Sequence, residues 1–304
     1  MKRTWLNLAG VLGLMILALW LSVQISAPLR FTAKTGIVVI IEKGQGTKDI
    51  AKYLERQKFI RSSFFFQAYS FLTGASHKLQ AGEYLLSPSL SLSQIVRKLA
   101  TGDVHKEAVT FVEGWSVKDY PILLEFLNFE GYLFPDTYFV RTDETPESIV
   151  RRMLQNFDKH FTPQLRTETQ RQKKTIFQVV TMASLLEKEV PGLQDRKIVA
   201  GVLWKRLKAG VALQVDATVL YVKGEHTVKI SKEDTQIDSP YNTYKYPGLP
   251  VGPIGNPGME SILAALYPTE SPYWYYLSTL TGETIFSKTL EDHNLAKAKY
   301  LKGY

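Results

Sequence analysis

One glutamate of this chain lies where its carboxyl group could serve as an acid. Residues 182–189 (MASLLEKE) end a long apolar segment without Gly or Pro, which predicts a buried helix. At about 100° per residue, one side of that helix carries Glu187 among apolar side chains. These side chains are Ile176, Val180 and Ala183. Desolvation by such neighbours is expected to raise the pKa of the carboxyl group, as general acid catalysis near neutral pH requires.

The same pattern has a structural interpretation, because buried glutamates also pair with Arg or Lys. Three polar residues, Thr181, Ser184 and Lys188, form a narrow stripe that we expect to face solvent. Glu189 lies about 200° around the helix from Glu187, so the two carboxyl groups leave on different faces. The pair cannot flank one bond, and carboxylate chemistry on this helix would depend on a single group.

The overall composition is that of a folded protein with a basic surface. The chain has 304 residues, 45% hydrophobic and 22% charged, which is enough for two domains. Its net charge of +8 favours a polyanionic partner, either nucleic acid, anionic lipid or an acidic cell-wall polymer. No zinc finger, RNP motif or basic recognition helix accompanies the charge, so we do not expect nucleic-acid binding. Cysteine is absent and the five His residues are scattered, and we therefore predict neither a metal site nor a cofactor.

The N-terminus predicts a membrane anchor. Lys2 and Arg3 precede an uncharged apolar run at residues 5–25, and about 20 apolar residues suffice to cross a bilayer. A cleaved signal peptide is the alternative, but its apolar region has only about 7–15 residues. The positive-inside rule then gives a cytoplasmic tail (1–4), a linker (26–36), and everything after it outside an inner (plasma) membrane.

The pattern of elements predicts an α+β fold with two parts after the linker. Residues 37–105 read as a small β-α-α-β unit followed by a helix, and residues 106–304 as a larger mixed α+β domain. In the larger part we predict helices at 116–127, 146–161, 163–173, 175–190, 194–208 and 290–301. We also predict an irregular stretch at 210–257, a following helix that Asn256 caps, and a β-hairpin at 273–287.

Six motifs in a fixed order resemble one family. They are FEGYLFPDTY (129–138), ASLLEKE (183–189), VLWKRL (202–207), LQVDATVLY (213–221), SPYNTY (239–244) and GLPVGPIGNP (248–257). Together they are similar to the endolytic murein transglycosylases of the YceG-like type, over about residues 36–302. The resemblance implies a LysM-like subdomain at 37–105, a catalytic domain at 106–304, and peptidoglycan glycan strands as substrate. It also implies work beside the peptidoglycan synthases.

The resemblance also implies roles for individual residues. Glu187 matches the family's catalytic glutamate. The residues that we expect to contact substrate are Glu130, Gln214, Tyr241, Asn242 and Tyr244, although each of them could instead only pack a loop. We expect Glu189 to have a supporting role, and Asp216 either to orient a neighbour or to act as the second carboxylate of a hydrolase.

The implied reaction needs only one carboxyl group. A glycoside hydrolase uses two, whereas a lytic transglycosylase is a lyase in which the C6 hydroxyl of the N-acetylmuramic acid ring attacks C1. One Glu can protonate the leaving oxygen and then accept the proton of that hydroxyl, giving a 1,6-anhydro end. A non-catalytic peptidoglycan-binding scaffold and a two-carboxylate hydrolase remain the alternatives.

Overall fold

A computed structural model of the protein describes residues 2–31, 36–224, 230–279 and 281–301. The chain divides into two compact units. The first unit comprises Met1–Ala108 and Phe139–Glu144, and the second comprises Val109–Tyr138 and Thr145–Tyr304.

The first unit begins with helix α1 (Lys2–Ser26), which includes the segment predicted to be an anchor. In the part of the chain that the structure describes, no helix has both the length and the apolarity required to cross a membrane. The transmembrane character of residues 5–25 is therefore not confirmed.

The β-α-α-β order predicted for the first unit is confirmed. Its elements are β1 (Ile37–Ile41), α2 (Thr47–Arg56), α3 (Ser63–Leu72), β2 (Gly82–Leu86) and a following helix, α4 (Leu92–Thr101). Strands β1 and β2 are antiparallel and place Val39 opposite Tyr84, both of which are buried. Ser91 caps α4 in a capping box with Gln94.

The remaining elements are helices and two short sheets, and all of them lie in the second unit except the strands at 107–110 and 137–140, which have residues in both units. These elements are β3 (Glu107–Thr110), β4 (Thr137–Val140), α5 (Pro146–His160), α6 (Pro163–Arg171), α7 (Ile176–Glu189), α8 (Leu193–Lys208), α9 (Asp216–Lys223), α10 (Met259–Leu266), β5 (Tyr275–Ser278), β6 (Thr284–Ser287) and α11 (Leu290–Tyr300). Strand β3 pairs with β4, and β5 pairs with β6 in the predicted hairpin. Helices α8 and α10 pack against α7 and against each other.

Helix α7 lies in the apolar core of the second unit. A capping box between Thr175 and Gln178 begins it, and Pro191 follows its last turn. The predicted solvent-facing stripe is wrong for two of its three residues, since Thr181 and Ser184 are buried. The Ser184 hydroxyl accepts a hydrogen bond from the Ile254 backbone at 3.1 Å, so it holds the 248–257 loop against the helix.

Three other predictions for the second unit need correction. The helix predicted at 116–127 is instead two 3₁₀ segments, Val117–Asp119 and Pro121–Phe129. Pro121 has no backbone N–H, so it cannot continue the first segment and begins the second. The stretch predicted to be irregular contains helix α9. Asn256 does not cap α10, because that helix begins after Gly258. The Asn256 side chain is instead buried.

Candidate active site

Glu187 lies in the last turn of α7 and is part of a buried ion pair. Its side chain is only 5% exposed, and its Oε1 is 2.9 Å from Nη2 of Arg196 on α8. Its Oε2 accepts a hydrogen bond of 2.8 Å from the backbone N–H of Gly258, at the start of α10. Both carboxylate oxygens are therefore held, one by a cation and one at the positive end of a helix.

The position of Arg196 is itself set by backbone contacts. Its Nε donates to the carbonyl oxygen of Val190 at 2.7 Å, and its Nη1 lies 3.5 Å from Glu260. The guanidinium therefore bridges the end of α7 and the start of α10. We expected the Glu187 carboxyl group to lie against an apolar wall, and this expectation needs correction. Glu187 is carried by an apolar helix, but its carboxyl group contacts a buried cation.

Three glycines allow the backbone segments 113–115 and 255–258 to approach each other closely beside Glu187. Gly114 has a φ of +77°, and a Cβ there would lie 3.0 Å from Cγ of Glu187. A Cβ at Gly255 would lie 2.4 Å from the Gly114 carbonyl oxygen, and one at Gly258 would lie 2.1 Å from Oε1 of Glu113. Side chains at these positions would push the 113–115 and 255–258 segments apart.

Backbone hydrogen bonds hold these two segments together. Gly114 donates to the Asn256 carbonyl at 2.8 Å, and Asn256 donates to the Trp115 carbonyl at 2.9 Å. The Asn256 side chain accepts from Gly131 and Leu133 at 2.9 and 3.0 Å. Asn256 therefore ties the FEGYLFPDTY motif to the wall beside Glu187.

Glu130 is buried among protein groups. Both of its carboxyl oxygens accept from the Val117 backbone at 3.1 Å, and Oε1 also accepts from the Asn256 amide at 3.1 Å. Tyr221 donates to Oε2 at 3.4 Å. Burial raises the pKa of Glu130 to about 7, against the lowering effect of the Val117 and Tyr221 donors.

Tyr241 and Asn242 belong to the SPYNTY loop. Tyr241 is half-buried, and its ring lies 4.9 Å from that of Tyr221, centroid to centroid. The buried Asn242 amide donates to the carbonyls of Thr235 and Ile237 at 3.0 and 2.8 Å, and its Oδ1 accepts from Tyr244 at 3.0 Å. These contacts agree with the loop-packing alternative for Asn242.

Gln214, Asp216 and Tyr244 lie together at the start of α9. Gln214 is exposed and has a φ of +56°, uncommon for a residue with a side chain, and its backbone donates to Thr243 at 3.1 Å. The Tyr244 hydroxyl donates a hydrogen bond to Asp216. The structure therefore joins the LQVDATVLY and SPYNTY motifs at this point.

Glu189 points to the other side of α7, as the helical spacing predicted. Its carboxyl group accepts a 2.7 Å hydrogen bond from Tyr276 on β5. Burial raises the pKa of Glu189 to about 7, with Tyr276 lowering it and the charge of Asp216 raising it.

Sequence reasoning missed Arg196, Gly258 and Glu113 as neighbours of Glu187. Burial, followed by the negative charge of Glu187, raises the pKa of Glu113. In the sequence, the Glu-Gly-Trp triplet at 113–115 indicates only the entry to the helix predicted at 116–127. Within the described ranges, no group of three or more His, Asp or Glu residues is arranged to hold a metal ion.

The chain belongs to the YceG-like family, whose sequence profile matches residues 39–299. It is 35% identical to the endolytic murein transglycosylase of Bacillus subtilis over 318 residues, which cover 91% of this chain and 88% of that protein. It is 29% identical to the endolytic murein transglycosylase of Streptococcus pneumoniae strain D39, over 91% of this chain and 60% of that longer protein. A crystal structure of a YceG-like protein from Listeria monocytogenes matches 87% of this chain and all of its own, with 36% identity and a TM-score of 0.57.

Proposed function

We propose that this protein is an endolytic murein transglycosylase, a lyase that cleaves the bond between N-acetylmuramic acid and N-acetylglucosamine and leaves 1,6-anhydro ends. The observation that carries the proposal is the setting of Glu187, the glutamate of the ASLLEKE motif, whose two oxygens are held by Arg196 and Gly258. The names of the relatives at 29–35% identity support the same activity.

The chemistry needs no water and no net proton. As the glycosidic bond breaks, the leaving oxygen takes up a proton, while the C6 hydroxyl of the muramic acid ring loses one and attacks C1. In the proposed scheme the Glu187 carboxyl group gives its proton to the leaving oxygen and then, held in one position by Arg196 and Gly258, accepts the hydroxyl proton. The Arg196 charge also keeps a carboxylate tolerable in a nearly dry position.

The exposed and half-buried polar residues are proposed to contact the sugar. Gln214 offers an exposed amide, and Tyr241 and Tyr244 offer rings and hydroxyl groups suited to a glycan strand. Glu130 and Asn242, whose polar atoms already bond to protein groups, would shape the walls of the same site. Asp216 would orient Tyr244 through their hydrogen bond.

Membrane attachment and location are further parts of the proposal. The uncharged run at residues 5–25 after Lys2 and Arg3 supports a single-pass anchor with the enzyme outside the inner (plasma) membrane, beside the peptidoglycan synthases. The β-α-α-β unit would then act as a LysM-like glycan-binding module. Fractionation of cells that express the full chain tests the anchor, and release of the protein with the soluble fraction would count against it.

Mass spectrometry of digestion products tests the activity. The full chain in detergent is incubated with purified murein, and fragments with 1,6-anhydro ends are the expected result. Fragments with reducing ends would instead indicate a two-carboxylate hydrolase. Intact strands that still bind the protein would indicate a scaffold.

A further inference from the structure

Helix α3 carries apolar side chains that the first unit leaves uncovered. Phe64, Phe71 and Leu72 are 69%, 74% and 82% exposed, although Phe66 on the same helix is completely buried. At about 100° per residue, these three residues and the half-buried Phe65 share one arc of roughly 120°. Single exposed apolar residues are normal, whereas a group on one face marks a contact surface. We call these four residues the α3 apolar face.

The α3 apolar face continues onto helix α1. The ring of Phe65 meets the ring of Trp20 edge-on, with 5.3 Å between the centroids, and meets Phe64 at 5.5 Å. From Val11 to Val23, α1 has nine large apolar side chains that are 37–68% exposed. The two helices therefore present one continuous apolar surface.

Hydrogen bonds fix the first unit to the end of α1. The Arg61 guanidinium, just before α3, donates to the backbone carbonyls of Ala27 and Pro28 at 2.6 and 2.5 Å. The backbone N–H of Arg30 donates to the Pro88 carbonyl at 3.0 Å. These bonds hold the segment that leaves α1 against the unit, so α3 keeps its place beside the last turns of α1.

A lipid bilayer is the partner that fits both helices. A second copy of the chain could cover α3, but it would cover only one side of α1, whose exposed side chains point in all directions. Trp20 favours the boundary between lipid headgroups and hydrocarbon, so its contact with Phe65 places α3 at that level. Residues 27–108 contain twelve Lys or Arg and six Asp or Glu, a positive charge that anionic headgroups attract.

We propose that the α3 apolar face lies in the headgroup layer of the bilayer that holds α1, so that the first unit rests on the membrane surface. The inference rests on the proposed membrane attachment and goes beyond it, because attachment requires α1 alone. Apolar side chains on one face of a helix enter this layer, while the polar face remains in water. On α3 the aromatic and leucine side chains supply the inserted face.

A fluorescent label at position 71 tests the contact. The chain has no cysteine, so Phe71→Cys provides a single attachment point for a nitrobenzoxadiazole dye. In the full chain, reconstituted into vesicles of phosphatidylethanolamine and phosphatidylglycerol, the dye emission should shift to the blue and spin-labelled lipids should quench it. Lys52→Cys, at an exposed position of α2 in the same unit, is the matched control and should keep the emission of a dye in water.

Two further substitutions test whether the apolar side chains cause the contact. Phe64→Ser and Leu72→Ser, introduced into the chain labelled at position 71, should each weaken the contact by about tenfold or more, because apolar area returns to water. The blue shift should therefore be lost in the double variant. Both side chains are exposed, so the fold should be kept, and circular dichroism checks that it is.

Sedimentation of the full chain with the vesicles reports on attachment separately. A chain that does not sediment with vesicles would refute the proposed anchor, and with it this contact. A chain that sediments but keeps water-like emission at position 71 would overturn the α3 contact alone. Crosslinking of two copies through position 71, without quenching by lipid, would assign the face to a second copy and also overturn the proposal. Lipid quenching at position 71 but not at position 52 supports it.

Discussion

The two glutamates at the end of α7 have the same side chain and opposite surroundings. Glu187 faces α8 and α10, where Arg196 and the Gly258 backbone bind its carboxylate. Glu189 faces β5, where the neutral hydroxyl of Tyr276 is its hydrogen-bond donor and burial raises its pKa to about 7. One carboxyl group has a buried cation as its partner, and the other has a neutral hydroxyl and a raised pKa.

This difference shows that burial alone does not define the proton chemistry of a glutamate. A cation beside a buried carboxyl group favours its charged form, whereas a desolvated carboxyl group with a neutral partner retains its proton to higher pH. The Glu187 side also borders Gly114, and Gly258 there lies against Glu113. The site proposed for catalysis is therefore on the ion-paired face.

Glu187→Gln should have the largest effect, and it tests whether the ion-paired glutamate is the catalytic one of the two. The amide cannot accept a proton from the C6 hydroxyl, so we expect murein cleavage to fall by about 10³-fold or more. The amide oxygen can still accept from Gly258, but the buried Arg196 loses its charged partner, so a loss of stability is expected beside the loss of activity. Turnover is measured by release of anhydro fragments, with Glu189→Gln as the matched control on the other face. Retained turnover in Glu187→Gln would remove Glu187 from the mechanism.

Arg196→Met should have the next largest effect, on stability. Loss of one partner of a buried ion pair leaves Glu187 as an uncompensated charge, which costs about 3–5 kcal/mol of unfolding free energy at neutral pH. Chemical denaturation at neutral pH measures the loss. Arg171→Met removes an exposed ion pair with Glu168 and should cost less than about 1 kcal/mol; an equal cost for both variants would contradict the assignment.

Glu189→Gln should change how the stability of the protein depends on pH, and so tests the raised pKa of Glu189. Folding raises the Glu189 pKa from its ordinary 4.5 to about 7, so the folded state binds more protons between these values. The stability of the wild type should therefore fall as the pH rises through this interval, by about 3 kcal/mol from this group. Glu189→Gln removes that contribution, so the free energy of unfolding of the variant should rise relative to that of the wild type between pH 4.5 and 8. Urea denaturation across this range measures the gain, and a difference independent of pH would contradict the shift.

Tyr276→Phe should have the smallest effect. The hydroxyl donates a 2.7 Å hydrogen bond to Glu189, and its removal should cost about 1 kcal/mol above pH 7, where the carboxylate is present. The pKa of Glu189 should rise further, because a donor that stabilises the ionised form is lost. The neighbouring Tyr275→Phe, whose ring stacks on His293, serves as control. An unchanged Glu189 titration by NMR would show that the bond does not set its pKa.

Local patterns predicted most elements of the fold. Apolar spacing predicted α7, and the strand and helix patterns predicted the β-α-α-β order, because helix and strand periodicities involve neighbouring residues. The failures occurred where distant contacts decide. Asn256 looked like a helix cap, yet its amide bonds to Gly131, Leu133 and Glu130, more than 120 residues away in the chain.

The candidate site was predictable only in part, for the same reason. The motif at 183–189 singled out Glu187, and the two-residue spacing separated it from Glu189. Nothing local indicated that Glu113 would lie beside Gly258, or that the Asn242 amide would be used inside its own loop. The exposure of polar loop residues depends on how loops fold back, which their composition does not specify.

The sequence by itself determined that two acidic side chains leave the end of α7 on different sides, because helical geometry depends only on consecutive residues. The tertiary structure alone decided what each meets: a cation and a glycine N–H for Glu187, a tyrosine hydroxyl for Glu189. Gly258 and Tyr276 are 71 and 87 residues further along the chain from these glutamates. Charge and solvation act through space, so the protonation of each group is a property of the assembled fold.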